Sequence, residues 1–187
     1  MSHPGTGRSA VLAPGGTYGI DGPLLMFAKL AVSRRDAATH PITRWELSGG
    51  NDFASHRRQV EAQVSAAVDE LTAATRTPPL VIAKSLGSLA APVVADRGLT
   101  AIWFTPLMTD EATMAALRRA TGPFLLAGGT ADDFWDGQAA RSLTPHVVEI
   151  EDADHTLFVP GPLSRSATAL GQVMTAVEDF LDQIVWP

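Results

Sequence analysis

Short apolar runs alternate with segments of helical periodicity along this sequence, and this alternation is the feature that most limits its fold. Most of the runs are apolar throughout, as is typical of strands buried on both faces of a parallel sheet. The runs are residues 9–14, 42–47, 79–85, 101–106, 123–129 and 146–152. Between them apolar residues recur at helical spacing, as at Val60, Val64, Val68 and Leu71. The sequence therefore predicts an α/β fold with a mostly parallel sheet of about six strands flanked by helices.

The length of the chain predicts one domain. At 187 residues it is long enough to bury a sizeable core and short enough to need no second one. We expect residues 9–187 to form this domain and residues 1–8, MSHPGTGR, to form a loose tail. The stretch between the runs at 101–106 and 123–129 is too short to fold into a cap or lid, which predicts an open cleft.

Charge and composition exclude several classes of function. The formal net charge is −6 and no cluster of lysine or arginine is present, which argues against binding nucleic acid. The chain has no cysteine, so disulfides and thiol catalysis are excluded. No apolar run reaches the roughly 18 residues that a membrane span needs, and no basic start precedes an apolar stretch. We expect a cytoplasmic protein without a membrane partner.

The stretch VIAKSLGSLA, residues 81–90, passes from a predicted strand into a predicted helix without a loop. Ser85 occupies the corner, between the small residues Ala83 and Gly87, which allow a sharp turn. This is A-x-S-x-G, a variant of the G-x-S-x-G pattern that exposes a nucleophilic serine at a sheet edge. The role of Lys84, next to the serine, is left open.

Two later segments supply the partners that such a serine needs. The segment GGTADD ends a predicted strand and offers Asp132 and Asp133, and DADHTLF follows another strand and offers His155. The carboxyl ends of parallel strands meet at one edge of the sheet, where such folds bind ligands. The sequence therefore predicts a catalytic serine, acid and histidine in that chain order.

Other kinds of site fit the sequence less well. The glycines of GGTYG, residues 15–19, could form a plain tight turn, and they lack the G-x-G-x-x-G spacing of a dinucleotide site. Asp152, Asp154 and His155 could hold a metal, but no H-x-x-x-H pair accompanies them. We predict neither a metal nor a cofactor.

Taken together, the quoted segments resemble the α/β-hydrolase superfamily, specifically its small capless bacterial dienelactone-hydrolase-like and KANL3/Tex30-type proteins. The matching stretches are LAPGGTYGIDGPLL, AKSLGS, WFTPLMTD, GGTADDFWD and DADHTLFVPG, which span nearly the whole chain. The resemblance implies a minimal, single-domain α/β-hydrolase fold without a cap domain.

The resemblance also implies roles for single residues. Ser85 would be the nucleophile, His155 the general base and later acid, and Asp132 the group that orients the imidazole. Asp133 stands where relatives often have proline, so it remains an alternative acid, and Asp136 is a more distant one. The oxyanion hole would take one backbone N–H from Leu86 and one from residues 16–17, either Gly16 or Thr17.

Side chains that follow the catalytic strand ends are candidates for substrate contacts. These candidates are Tyr18, Leu107, Met108, Trp135 and Phe158. Trp103 and Phe104 lie earlier on a predicted strand, so we expect them in the core.

The function that these expectations support is hydrolysis of a small ester or thioester through an acyl-enzyme. The alternative is a catalytically idle α/β-hydrolase-like domain that acts as a binding or interaction module. The partner would be the small-molecule substrate, and a homodimer is compatible with the sequence.

Overall fold

The structure, a computed structural model, describes residues 7–50 and 52–187, so most of the predicted loose tail lies outside the described residues. Strands and helices alternate along the described chain. The strands are β1 (Ser9–Ala13), β2 (Ala38–Pro41), β3 (Leu80–Lys84), β4 (Ala101–Phe104), β5 (Phe124–Gly129) and β6 (Val147–Ile150). The helices are α1 (Pro23–Ser33), α2 (Phe53–Thr75), α3 (Ala91–Asp96), α4 (Glu111–Arg119), α5 (Gly137–Leu143) and α6 (Leu163–Phe180). A 3₁₀-helix, Ser85–Ala90, joins β3 to α3, and a π-helical turn, Leu181–Val185, follows α6.

All six strands are parallel and form one sheet in the order β2-β1-β3-β4-β5-β6. The chain moves outward from β1 to β2 and then returns to the other side of β1 for β3. The crevice outside the carboxyl ends of β1 and β3 is therefore the switch point at which sheets of this kind bind ligands.

Alternate residues of each strand face opposite layers of helices, because successive side chains of a strand point to opposite faces. Val81 and Ala83 of β3 lie in the cluster that contains α2, α3 and α4. Leu80 and Ile82 lie in the cluster with α1 and α6 on the other face. The sheet is thus covered on both sides, and the predicted fold class is confirmed.

The second strand was placed wrongly by the sequence pattern. The pattern predicts a strand at residues 42–47, whereas β2 is Ala38–Pro41. In the predicted segment Trp45 packs against the α2 layer and the backbone N–H of Glu46 donates to a glutamine side chain of α2, as does the N–H of Ser48 just after the segment. The alternating apolar residues therefore reflect packing on a helix, while the true strand is a short, polar edge strand.

The connection between β4 and β5 contains α4 and no inserted cap, as expected. Trp103 and Phe104 are buried on opposite faces of β4, which confirms their place in the core. None of the described helices combines the length and apolar character needed to cross a membrane.

A close backbone approach joins the loops that follow β5 and β6. The N–H of Ala131 donates to the carbonyl oxygen of Ala153 over 3.0 Å. Gly129 lies directly beneath this contact, and a Cβ there would collide with the Ala153 backbone. This glycine therefore lets the loop of Asp132 and the loop of His155 lie side by side.

We expect Gly129→Ala to destabilise the fold, because the backbone that it would strike cannot rotate away. The expected loss is about 1–3 kcal/mol in the free energy of unfolding, as for other overpacked sites. Gly171→Ala is the matched control, since a Cβ on this exposed residue of α6 would meet nothing within 4 Å. This control should be neutral or gain up to about 1 kcal/mol. Urea unfolding measures both, and equal stabilities of the two variants would contradict the close approach.

Candidate active site

Ser85 lies on a strained corner at the end of β3. Its φ is 50°, in the left-handed region that a side chain disfavours, and its side chain is partly exposed at the sheet edge. Gly87 permits the turn, because a Cβ there would lie only 3.0 Å from the carbonyl oxygens of Ala13 and Pro14. The corner thus packs against the end of β1 and presents the hydroxyl outward, as a nucleophile requires.

His155 connects Ser85 to Asp132. The distance from its Nε2 to Ser85 Oγ is 2.7 Å, and that from its Nδ1 to Asp132 Oδ2 is 2.8 Å. With the proton on Nδ1, the ring donates to the carboxylate and accepts from the serine hydroxyl. The structure therefore brings together the three residues that the sequence analysis selected from three separate loops.

The three candidate carboxylates occupy different environments. The side chain of Asp132 is fully buried, and its Oδ1 accepts from the N–H of Phe134 over 2.9 Å. Asp133 is exposed. Asp136 caps α5 and accepts from the N–H of Ala139 over 2.9 Å. Only Asp132 is in hydrogen-bond contact with His155 among the three.

The glycine-rich loop after β1 lies opposite the serine. Gly16 faces the elbow residue Leu86, whose Cδ2 would be 3.8 Å from a Cβ on that glycine. The loop is fixed by two hydrogen bonds, from Gly15 N to the Tyr18 carbonyl (2.9 Å) and from Trp45 Nε1 to the Pro14 carbonyl (3.2 Å). The predicted oxyanion donors therefore lie on neighbouring backbone segments, with Gly16 and Thr17 exposed to an incoming ligand.

An aromatic side chain that was not among the predicted site residues covers the histidine. The ring centroid of Phe134 is 5.0 Å from that of His155, and Phe53 of α2 lies 6.2 Å from Phe134 on its other side. The signal that could have found Phe134 is its position two residues after the acid. Its ring packs against the imidazole at an interplanar angle of 58°.

The predicted substrate contacts separate into two groups. Leu107 and Met108 are buried in the α2-side core, and Trp135 packs on Gly128 while its Nε1 donates to Glu149 over 2.7 Å. Their role as pocket walls stays a prediction. Tyr18 and Phe158, in contrast, line an open groove of about 230 Å³.

The groove lies between the start of α1 and the start of α6, beside the loop of His155. Thr156, Leu157 and Phe158, the three residues after the histidine, form one wall. Most of the remaining lining is apolar and comes from Pro23, Leu24, Leu163, Ala167 and Leu170. The groove can therefore hold a small apolar group beside the loop that carries His155.

Lys84, immediately before Ser85, is one of the largest fully buried side chains of the protein. Its Nζ donates to the carbonyl oxygen of His155 over 2.9 Å and lies 5.0 Å from the centre of the Tyr18 ring. Burial lowers the pKa of Lys84 to about 8, against the opposing attraction of Asp132 and Asp154. Burial also raises the pKa of Tyr18, whose hydroxyl accepts from the N–H of Leu24.

This arrangement can take a proton from a hydroxyl and return it to a leaving group. The imidazole of His155 contacts the hydroxyl on one side and a buried carboxylate on the other, which would stabilise the imidazolium. Within residues 7–50 and 52–187, no group of three or more His, Asp or Glu side chains is placed to hold a metal ion.

Several solved structures share this architecture. A lidless α/β serine hydrolase from Xanthomonas campestris superposes with a TM-score of 0.72 at 15% identity, over 98% of this chain and 86% of that one. The esterase domain of a Rhodothermus marinus protein gives 0.66 at 16% identity, over 97% and 89% of the two chains. Est1E from Butyrivibrio proteoclasticus, solved with ferulic acid bound, gives 0.66 at 12% identity, over 96% and 90%.

No protein-family model and no curated protein sequence matches this chain. The structural neighbours are too distant in sequence to assign a reaction, but they extend over almost the whole chain. They confirm the resemblance stated from the sequence motifs at the level of the fold. The protein has the α/β-hydrolase fold in its minimal form, without a lid.

Proposed function

We propose that this protein is a serine hydrolase that cleaves a small ester or thioester through an acyl-enzyme. The observation that carries the proposal is the continuous hydrogen-bonded chain from Ser85 Oγ through His155 to the buried carboxylate of Asp132. The positive φ of Ser85 supports it further, since that strain serves to expose the hydroxyl.

In the first half of the reaction, Ser85 Oγ attacks the carbonyl carbon while its proton passes to His155 Nε2. The tetrahedral intermediate then collapses, the bond to the leaving alcohol or thiol breaks, and the imidazolium gives that group its proton. Asp132 keeps the Nδ1 proton in place throughout and stabilises the positive ring. The product of this half is an ester between the acyl group and Ser85.

In the second half, water replaces the leaving group. His155 takes a proton from the water, the resulting oxygen nucleophile attacks the acyl carbon, and the proton returns to Ser85 Oγ as the acid leaves. The oxyanion of both intermediates would be held by the N–H of Leu86 and by that of Gly16 or Thr17. One such donor stabilises a transition state by about 3 kcal/mol.

The groove supports a small acyl group as the substrate's apolar part. Its volume of about 230 Å³ is below the roughly 300–1,000 Å³ of pockets that hold drug-sized ligands. Its walls include Phe158, three residues after His155, and Tyr18, two residues after Gly16. We therefore place a short acyl chain against Tyr18 and Phe158.

A fluorophosphonate probe tests the nucleophile. We expect one phosphonyl adduct on the intact protein, because the probe reacts with an activated serine and mimics the tetrahedral intermediate. Ser85→Ala should remove the adduct, and Ser142→Ala, which changes an exposed serine on α5, should keep it. Intact-protein mass spectrometry gives the readout. A folded wild type that resists a range of such probes would favour the idle binding module instead.

Asparagine substitutions test the acid. Asp132→Asn should fold normally and reduce kcat by about 10³–10⁴-fold, because an amide in this place favours the wrong tautomer of the histidine. Asp133→Asn changes an exposed carboxylate one residue away and should leave kcat almost unaltered. Steady-state kinetics on an aryl acetate compare the two. A damaging Asp133→Asn together with a silent Asp132→Asn would reverse the assignment.

A series of aryl esters with growing acyl chains tests the size of the site. Burial contributes about 0.8 kcal/mol per methylene only where the methylene is buried. We expect kcat/KM to be flat or to fall beyond a few carbons, since the groove is small and open. A kcat/KM that climbs steadily through long-chain esters would contradict this expectation.

Two phenylalanine variants locate the acyl group. Phe158 and Phe27 are similarly exposed, at 43% and 42%, but only Phe158 lines the groove. Phe158→Ala should lower kcat/KM for a butyrate ester severalfold and leave the acetate ester less affected. Phe27→Ala should change neither. Equal effects of the two substitutions would place the acyl group elsewhere.

A further inference from the structure

Burying the ammonium group of Lys84 costs free energy, and the packing of the fold alone does not explain why the group is buried. The residue is 2% exposed at the end of a strand whose other side chains are apolar. Removing an ammonium group from water is expensive unless partners compensate for the lost hydration. The partners present here all belong to the loops of the candidate active site.

Lys84 contacts both loops that must be aligned with Ser85. Its Nζ donates to the backbone carbonyl of His155, which fixes the loop of the general base. Its Cδ packs against the backbone of Gly15, where an added Cβ would lie only 3.2 Å away. The ammonium also faces the ring of Tyr18, within the range of a cation–π interaction.

These contacts extend to the predicted oxyanion donors. Gly15 and Tyr18 flank Gly16 and Thr17, and the hydrogen bond from Gly15 N to the Tyr18 carbonyl closes the turn between them. The hydroxyl of Tyr18 is held in turn by the N–H of Leu24 at the start of α1. A displacement of Tyr18 or Gly15 would therefore also displace the predicted oxyanion donors, Gly16 and Thr17.

We propose that Lys84 is a positioning residue whose ammonium group holds the His155 loop and the oxyanion loop in register with Ser85. Its side chain is buried, and it acts through its contacts with His155, Gly15 and Tyr18. This inference rests on the proposed function, and it adds the residue that keeps the catalytic geometry assembled.

The interaction of Lys84 with the Tyr18 ring depends on the positive charge of its ammonium group. The groups that face it are Asp132 on the loop after β5, Asp154 and His155 on the loop after β6, and Tyr18 on the loop after β1. Burial is the larger influence and lowers the pKa of Lys84 to about 8, although the two aspartates oppose it. Above that pH the neutral amine loses its attraction to the Tyr18 ring, so catalysis should decline.

The experiment measures the rate of fluorophosphonate labelling of Ser85 from pH 6 to pH 10. The wild-type rate should fall above about pH 8, as Lys84 loses its charge. Lys84→Met should lose about 10- to 100-fold in rate at pH 7, as expected for a small displacement of catalytic groups, and should show no alkaline decline. On an aryl ester its kcat should fall while KM changes little. Lys84→Arg, which stays charged, should recover part of the rate and also lack the decline.

Lys29→Met is the matched control, because Lys29 is the only other lysine of the sequence and lies on α1. It should reproduce the wild-type profile. A Lys84→Met profile equal to that of the wild type would overturn the positioning role alone, and a wild-type rate that stays level from pH 8 to 10 would overturn its pH dependence. A wild type that is not labelled at any pH would overturn the proposed function and this inference with it.

Thermal unfolding tests the lowered pKa of Lys84 by a measurement that does not depend on enzymatic activity. The pKa of Lys84 is lower in the folded chain than its ordinary value of 10.5, so the unfolded chain binds the proton more tightly. Wild-type stability should therefore rise relative to Lys84→Met as the pH increases from about 8 to 10.5. A Tm difference that is constant over this range would show that the pKa of Lys84 is not lowered in the folded chain, and would overturn the pH dependence of the contact.

Discussion

The packing of Gly87 against the end of β1 is the contact on which the arrangement of the site depends. The first turn after β3 passes so close to the end of β1 that a Cβ on Gly87 would lie only 3.0 Å from the carbonyl oxygens of Ala13 and Pro14. This approach fixes the distance between the corner that carries Ser85 and the glycine-rich loop that starts at Pro14. Because the strands are parallel, the loops that follow β5 and β6 lie at the same edge of the sheet as Ser85. Ser85, His155 and Asp132, which come from distant parts of the sequence, can then meet without any one loop being long.

Strain is concentrated at the same edge. Ser85 and Thr105, at the ends of the neighbouring strands β3 and β4, have φ values of 50° and 41°. Each such conformation costs on the order of 1–3 kcal/mol and persists only where the surroundings impose it. Thr105 Oγ1 is also buried without a hydrogen-bond partner among the described residues. The two packed helix layers, between which every residue of β1, β3, β4 and β5 is buried, supply the stability that this edge lacks.

Most of the fold, and the three residues whose side chains meet at the sheet edge, Ser85, Asp132 and His155, could be predicted from the sequence, because each leaves a local signal. A buried parallel strand is a continuous apolar run, and a nucleophile corner needs small residues on both sides of the serine. What could not be predicted depends on contacts between distant segments. Residues 42–47 have the pattern of a strand but pack on α2. The contacts of Lys84 with Tyr18 and His155 join three loops, and no spacing in the sequence indicates them.

The absence of an inserted segment between β4 and β5 has a consequence for the timing of turnover. In many enzymes the slow step is the opening of a lid or the release of product behind it. Here α4 alone joins the two strands, and the His155 side chain is 28% exposed, so a product of the proposed reaction would leave without a conformational step. For the proposed hydrolase the slow step is then a chemical one, the making or breaking of the acyl bond. Turnover would accordingly respond to the leaving group and to the isotope of the solvent, and would be insensitive to the viscosity of the medium.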